Sequence, residues 1–267
     1  MKSHMNDRTF KSVSNTAALL VLLFMLLPII ILFLNAFNPS KIFEFPPRGF
    51  TFRWFVDLSK SEEYRNSISV SAVLASSAVG LALITGVPAA FAIDRYRFPG
   101  RNFMQGLFLS PLLLPSIIWA LGLVQYYAFM RILGTFPGMV MAHCIIIIPY
   151  VIRLVLASLS FVDRELENAA RSLGASPVRT FFEVTIPLVT PGIIISTVFG
   201  FMISFTDVVI SSFVSGARYI TFPVRIYSQL RSEGIDPKSV AFSAVIMLII
   251  IIIAMIGEKT IHWSKYV

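Results

Sequence analysis

"ENAARSLGASPVRTFFEVTIPLVTPGI" occupies Glu167–Ile193, a polar stretch broken by Pro177, Pro187 and Pro191 between two apolar runs. Its local chemistry predicts two short helices joined by a sharp turn. Asp163 just ahead of it is an N-cap residue, and Glu165 and Glu167 fall in the first turn, where negative charge meets the positive end of the helix dipole. Leu166, Ala169, Ala170 and Leu173 stand at i, i+3, i+4 and i+7, which lays one apolar stripe along the helix. Gly174 is placed to end it in the left-handed conformation. Ser176 then caps a second helix with Pro177 at its first position. Phe181, Phe182 and Val184 give that helix an apolar surface, Pro187 is expected to stop it, and Pro191-Gly192 leads into the next apolar run. The stripe must bury against something. Headgroups are one answer. Two alanines grip lipid poorly and allow close approach, which favours docking of a partner protein.

The surroundings of this stretch are membrane-like. Of 267 residues, 56% are hydrophobic and 13% charged, about half the roughly 25% charge of a soluble domain. Six runs have the ~20 apolar residues a spanning helix needs: about 14–36, 67–93, 103–129, 138–158, 188–213 and 239–257. They form a membrane domain over 14–257, flanked by short segments 1–13 and 258–267. Pro28, Gly86, Pro88, Pro111, Pro115 and Pro149 lie inside the runs. Such residues are tolerated where neighbouring helices resupply hydrogen bonds, so a packed bundle with kinks is expected. The start, MKSHMNDRTFKS, resembles a signal peptide. The run Thr16–Phe37 exceeds an h-region of ~7–15 residues and no small-x-small site follows, so it reads as an uncleaved first span.

The net charge of +8 comes from basic residues in short segments between apolar runs. That suits flanks facing anionic headgroups and implies a lipid membrane and no nucleic acid as partner. Charge counting leaves orientation open: with the N-terminus inside, eleven Lys and Arg fall inside and ten outside. Only the loop Asp94–Arg101 reads clearly as cytoplasmic. A single cysteine, Cys144, excludes an intrachain disulfide.

The sequence carries no engine. G-x-x-x-x-G-K-[ST] is absent; at the nearest lookalike, Gly257-Glu258-Lys259-Thr260, Ile252 stands where the first glycine belongs. His4, His143 and His262 are too scattered to hold a metal, and His143 beside Cys144 reads as bundle interior. No Ser–His–Asp set or carboxylate pair stands out, so catalytic residues are none and metal ligands are none. One acid does fall within a span. Ser196, Gly200, Ser204, Asp207 and Ser211 recur at steps of 4, 4, 3 and 4 and make one small-polar face. Tight helix packing accounts for the serines and glycine. A carboxylate inside a span is a functional-site hypothesis. Asp207, ~9 Å from the outer end of its span at 1.5 Å per residue, either attracts a cation or pairs with Arg218 or Arg225. Arg153 is read as snorkelling or bracing the polar stretch.

Ala169-Ala170, Gly174 and Ile186-Pro187, spaced A-A-x-x-x-G with Pro thirteen residues beyond the Gly, resemble the EAA loop of membrane subunits of ATP-binding-cassette (ABC) importers. The resemblance implies an all-α integral membrane fold: a type I importer permease-like bundle of six transmembrane helices with a cytoplasmic coupling helix in the loop 160–187. It implies coupling to an ATPase through Glu167, Asn168, Ala169, Ala170, Gly174, Ser176, Pro177, Ile186 and Pro187. The family's opening Glu aligns with Asn168, and neighbouring Glu167 is the candidate stand-in. The implied partners are a cytoplasmic ABC ATPase dimer, a second permease subunit and an extracytoplasmic solute-binding protein. The chain itself would hold no cofactor, ATP and Mg belonging to the ATPase. Both termini would be cytoplasmic in the inner membrane of a bacterium, with 37–66, 130–137 and 214–238 outside.

Ser204–Pro237, with GFTFRWF (49–55), NSISVS (66–71) and AFAIDRYRFPGR (90–101), is similar to spermidine/putrescine permeases. Those often show two acids where this chain has Thr206-Asp207. The resemblance implies a polyamine cargo, held by charge and cation–π attraction, and a substrate path past Asp207, Ser204, Ser211, Trp119 and Tyr150. Tyr126 and Tyr127 suit the path or a lipid interface. Permeases of this kind for aminoethylphosphonate, an opine, ferric iron or thiamine are the alternatives. An ion-gradient-driven secondary transporter is a further one; its inverted repeats and broken midplane helices are not visible in the sequence. Phe50–Phe55 followed by Lys60–Arg65 reads as an interfacial helix, either an anchor or a platform for a binding protein.

Overall fold

The structure is a computed structural model that describes residues 7–261; His4, His262 and the outer parts of the predicted segments 1–13 and 258–267 lie outside them. The described residues form helices and no strand. They divide into two compact units, one within residues 7–62 and 229–252 and the other within residues 63–228 and 253–261.

In the first unit, α1 (Asp7–Asn35) is a continuous helix through Pro28. From Phe10 to Ile30 its side chains are open to the surroundings, Phe24 at 79% and Met25 at 67% exposure, which in water would be untenable and in lipid is the lowest-energy state. The chain leaving it is pinned by rings. Phe37 stacks on Phe50 at 4.8 Å and meets Phe33 and Phe52 edge-on. Trp54, on α2 (Arg53–Lys60), donates its indole N–H to the Asn38 carbonyl at 2.7 Å. Ala36, Val240 and Ala244 make a small core beneath Phe55, the latter two from α12 (Pro237–Ile261).

The second unit is built on α3 (Glu62–Arg95), α6 (Phe136–Leu159) and α9 (Ile186–Thr206). Ala78, Val79, Ala82, Val87, Ala90 and Ile93 of α3 meet Ile147, Val151, Ile152, Val155 and Leu159 of α6 and Val189 of α9 in one core. Small residues bring the helices close. A Cβ on Gly200 would stand 2.7 Å from Ile147 Cγ2 and 3.2 Å from Val79 Cγ2, and one on Gly192 2.5 Å from Ser158 Cβ. A second core joins Leu74 of α3, Ala120, Leu123 and Tyr127 of α5 (Ser116–Phe129), Met139 and Ala142 of α6, and Ile210 and Val214 of α10 (Val209–Val214). After α10 the chain passes through α11 (Phe222–Ser232). Tyr127 is 3% exposed, so it is a core residue and neither a lipid anchor nor a lining of the path.

Among the described residues, five helices are long and apolar enough to cross a membrane, and a bent pair makes up to six. Two predicted spans differ from expectation. The run 103–129 is not one helix: α4 (Arg101–Leu109) and a 3-10 turn, Ser110–Leu112, meet α5 at a bend of 102°. Pro111 and Pro115 remove two N–H donors there; Ser110 ahead of Pro111 stays helical, and the backbone turns away at Pro115, whose ψ is 137°. The run 188–213 is also divided, α9 ending at Thr206 and α10 starting at Val209. Broken helices, expected only of the secondary-transporter alternative, are thus present.

Candidate functional site

The polar stretch after α6 folds as its caps dictate. Asp163 Oδ1 accepts from the Glu165 N–H at 3.0 Å and opens α7 (Arg164–Ser172). Gly174 follows with φ +91°, and Ser176 Oγ accepts from the Arg179 N–H at 3.2 Å to open α8 (Pro177–Thr180). Pro187 does not stop the second helix. The chain stays helical from Pro177 to Thr206, passing through a π-helical turn, Phe181–Thr185. The wider turn contains Glu183, the residue four before Pro187 whose carbonyl a proline ring would strike in a regular helix.

Large apolar side chains of this pair stay exposed among exposed Arg164, Glu165, Arg171 and Arg179: Leu166 is 49% exposed, Leu173 89%, Val178 67% and Phe182 63%. Asn168, Ala169 and Ser176 are also exposed, and Ala170 and Ile186 are partly so. Glu167 is not among them. It is 3% exposed, and its carboxylate accepts from Arg95 Nε at 3.0 and 3.1 Å, from Arg95 Nη2 at 3.0 Å and from Thr185 Oγ1 at 3.0 Å. The expected stand-in at a partner contact is therefore a buried ion pair with the last residue of α3. The stripe rule finds the outward face of α7; it cannot find Arg95, 72 positions away.

The second polar centre lies at the break after α9. His143 of α6, 1% exposed, has Nδ1 2.7 Å from Ser204 Oγ and Nε2 3.1 Å from Ser211 Oγ. It thus bridges both sides of the break, and a neutral ring does so by donating at one nitrogen and accepting at the other. Asp207 Oδ2 accepts from the Ser211 N–H at 2.8 Å and Oδ1 from the Ile210 N–H at 3.4 Å, which caps α10. Its Oδ2 is 3.9 Å from His143 Nε2. Neither expected arginine is its partner: Arg225 pairs with Glu63 at 2.9 Å, and Arg218 lies over the Tyr219 ring.

Ser204 and Ser211, expected on a path, are 3% and 1% exposed. They serve the packed interface with α6, because small side chains let α9 and α10 approach the His143 ring. Asp207 keeps 11% of its side chain open. Trp119 packs beside the second core with its indole Nε1 buried and unpartnered, and Tyr150 is half-buried on α6. His143 is the bundle-interior residue the sequence suggests, but nothing in helical spacing links it to its partners 61 and 68 positions away. In the first unit Arg53, Trp54, Asp57, Lys60, Lys41, Asp236 and Lys238 line an open cavity of about 490 Å³.

The family profile described as binding-protein-dependent transport system inner membrane component matches residues 78–259. The chain is 30% identical over 244 residues to the spermidine/putrescine transport system permease protein PotC of Haemophilus influenzae, covering 91% of this chain and 94% of that one. Two crystal structures share its fold. One is of a bacterial ABC transporter involved in the import of the acidic polysaccharide alginate, with TM-score 0.69, 18% identity, and coverage of 97% and 99% of the two chains. The other is a bacterial alginate ABC transporter in complex with alginate pentasaccharide-bound periplasmic protein, with TM-score 0.65, 17% identity, and coverage of 97% and 94%.

Proposed function

We propose, from the premise that this chain belongs to the inner-membrane components of binding-protein-dependent transport systems and is the permease subunit of an ABC importer, that its cargo is a polyamine. The observation that carries the proposal is the likeness to a spermidine/putrescine permease over nine-tenths of the chain. Asp207 supports it chemically: a carboxylate beside a helix break, partly open, adds negative potential to its neighbourhood. Flexible cations with several charges are stabilised by one such acid and by aromatic faces, which Trp119 and Tyr150 are candidates to supply.

The partners follow from the surfaces. Leu166, Ala169, Leu173, Val178 and Phe182 are left uncovered by the chain, and a cytoplasmic ABC ATPase dimer is the partner that fits them. On this reading α7 and both termini are cytoplasmic. ATP and Mg are held by the ATPase. A second, similar permease chain completes the translocation path. A solute-binding protein docks outside, where the mixed-charge cavity around Arg53, Asp57 and Lys60 offers polar anchoring. The mechanism is alternating access: closure of the ATPase dimer pushes α7 and α8, and the push tilts the helices to which they are joined.

Reconstitution tests this. Proteoliposomes holding the permease pair, ATPase and binding protein are expected to accumulate radiolabelled spermidine or putrescine only with ATP. Accumulation of an anionic or neutral solute with no polyamine uptake removes the cargo assignment. Uptake by this chain with no nucleotide-hydrolysing partner removes the coupling reading.

A further inference from the structure

We propose that the buried joint Arg95–Glu167–Thr185 is where the stroke delivered to α7 enters the bundle, so that Glu167 is a positioning residue for transport and not a contact with the ATPase. The inference rests on the reading of α7 as the ATPase-docking helix. A nine-residue helix tied only at its ends by turns could rock in place when pushed. α7 has a third attachment. Glu167 is its one buried residue; the side chains of Glu167 and Arg95 are 4% and 7% exposed. The guanidinium grips the carboxylate through Nε and Nη2, a two-point contact that fixes orientation as well as distance. With water excluded, little screening weakens it.

The joint has two outputs. Arg95 is the last residue of α3, so displacement of Glu167 is passed to a 34-residue helix. Thr185 is the last residue of the π-helical turn that leads directly into α9, and its hydroxyl donates to the same carboxylate oxygen that Arg95 holds. A second, exposed link runs parallel, Arg164 Nη2 meeting the Asp94 carboxylate at 3.3 Å and its carbonyl at 3.2 Å. Asp94 in turn pairs with Arg95. The uncovered apolar side chains of Leu166 on α7 and of Leu173, its C-cap, are separate from the buried Glu167. One face receives the push and another passes it on, so α7, α3 and the start of α9 move as one body.

The test uses the full complex with Ile84→Cys on α3 and Ser172→Cys on α7 spin-labelled; Cys144 is buried. In the parent the distance between labels is expected to stay narrow and unchanged between nucleotide-free and ATP-trapped states. In Glu167→Gln it is expected to broaden or shift on ATP binding, while the ATPase still copurifies. In proteoliposomes supplied with radiolabelled spermidine as the probe on the binding-protein side, Glu167→Gln should lower solute moved per ATP by about fivefold or more. Thr185→Val should lower it less, and the swap Arg95→Glu with Glu167→Arg should recover part of the loss. An unchanged distance and ratio in Glu167→Gln overturns the joint. So does loss of ATPase binding in a folded Glu167→Gln, which would return Glu167 to the docking surface. Failure of the parent complex to retain any ATPase refutes the docking reading itself, a separate result.

Discussion

Two roles at Asp207, the cap it makes on α10 and the proposed attraction of a cation, can be separated by substitution. An asparagine there would still accept the Ser211 N–H and keep α10 capped, so Asp207→Asn is expected to assemble normally and lose cation uptake through the missing charge. Asp207→Ala removes the cap as well and should cost about 1 kcal/mol of stability, read as a lower Tm in detergent. Uptake unchanged in Asp207→Asn would leave the residue a cap alone. His143→Leu strands the hydroxyls of Ser204 and Ser211 in a dry interface, at roughly 1–3 kcal/mol for each buried group left without a partner. Gly174 is simpler. A Cβ there meets nothing within 4 Å, so the only cost of a side chain is its φ of +91°. Gly174→Asn, which tolerates the left-handed region, should retain ATPase copurification; Gly174→Val should lose most of it, and equal behaviour of the two would show that backbone strain is not what matters.

At the scale of elements, close approach holds α9 against α3 and α6. Gly200→Val would drive methyls into Ile147 and Val79, an overpacking penalty of about 1–3 kcal/mol. It is expected to lower Tm while leaving the exposed face of α7, and hence ATPase binding, unaltered. The π-helical turn Phe181–Thr185 shows the same economy of local cause. Pro187 would break a regular helix, and one wide turn ahead of it keeps the chain helical and puts Thr185 against Glu167. The two breaks, the 102° bend at Leu113–Pro115 and the interruption at Asp207–Val208, differ in kind. The first is forced by prolines. The second has no proline, and side chains from α6, α9 and α10 hold it open.

For the whole molecule, the topology is the prediction to test first. A maleimide that does not cross membranes should label Lys60→Cys from the periplasmic side and Ser172→Cys only in inverted vesicles. Both positions are exposed, and native Cys144, 4% exposed, should stay silent. The reverse pattern would place α7 outside and end its role at a cytoplasmic motor. The open apolar surface of α1 belongs to this scale too: it is stable only where lipid or another apolar chain covers it.

The sequence alone determined what short-range chemistry controls. Hydropathy located the spans, because a run of ~20 apolar residues has one low-energy environment. Asp163, Gly174, Ser176 and Pro177 set the two-helix turn, because caps and positive φ act over roughly one helical turn. Only the tertiary structure decided where Glu167 points, how the run at 188–213 divides and what Asp207 touches. The long-range contacts come from side chains 60 or more positions away, Arg95 for Glu167 and His143 for Ser204, Ser211 and, at 3.9 Å, Asp207, whose own hydrogen bonds to Ile210 and Ser211 are local. Such polar contacts form where packing brings the partners together, and helical spacing carries no trace of them.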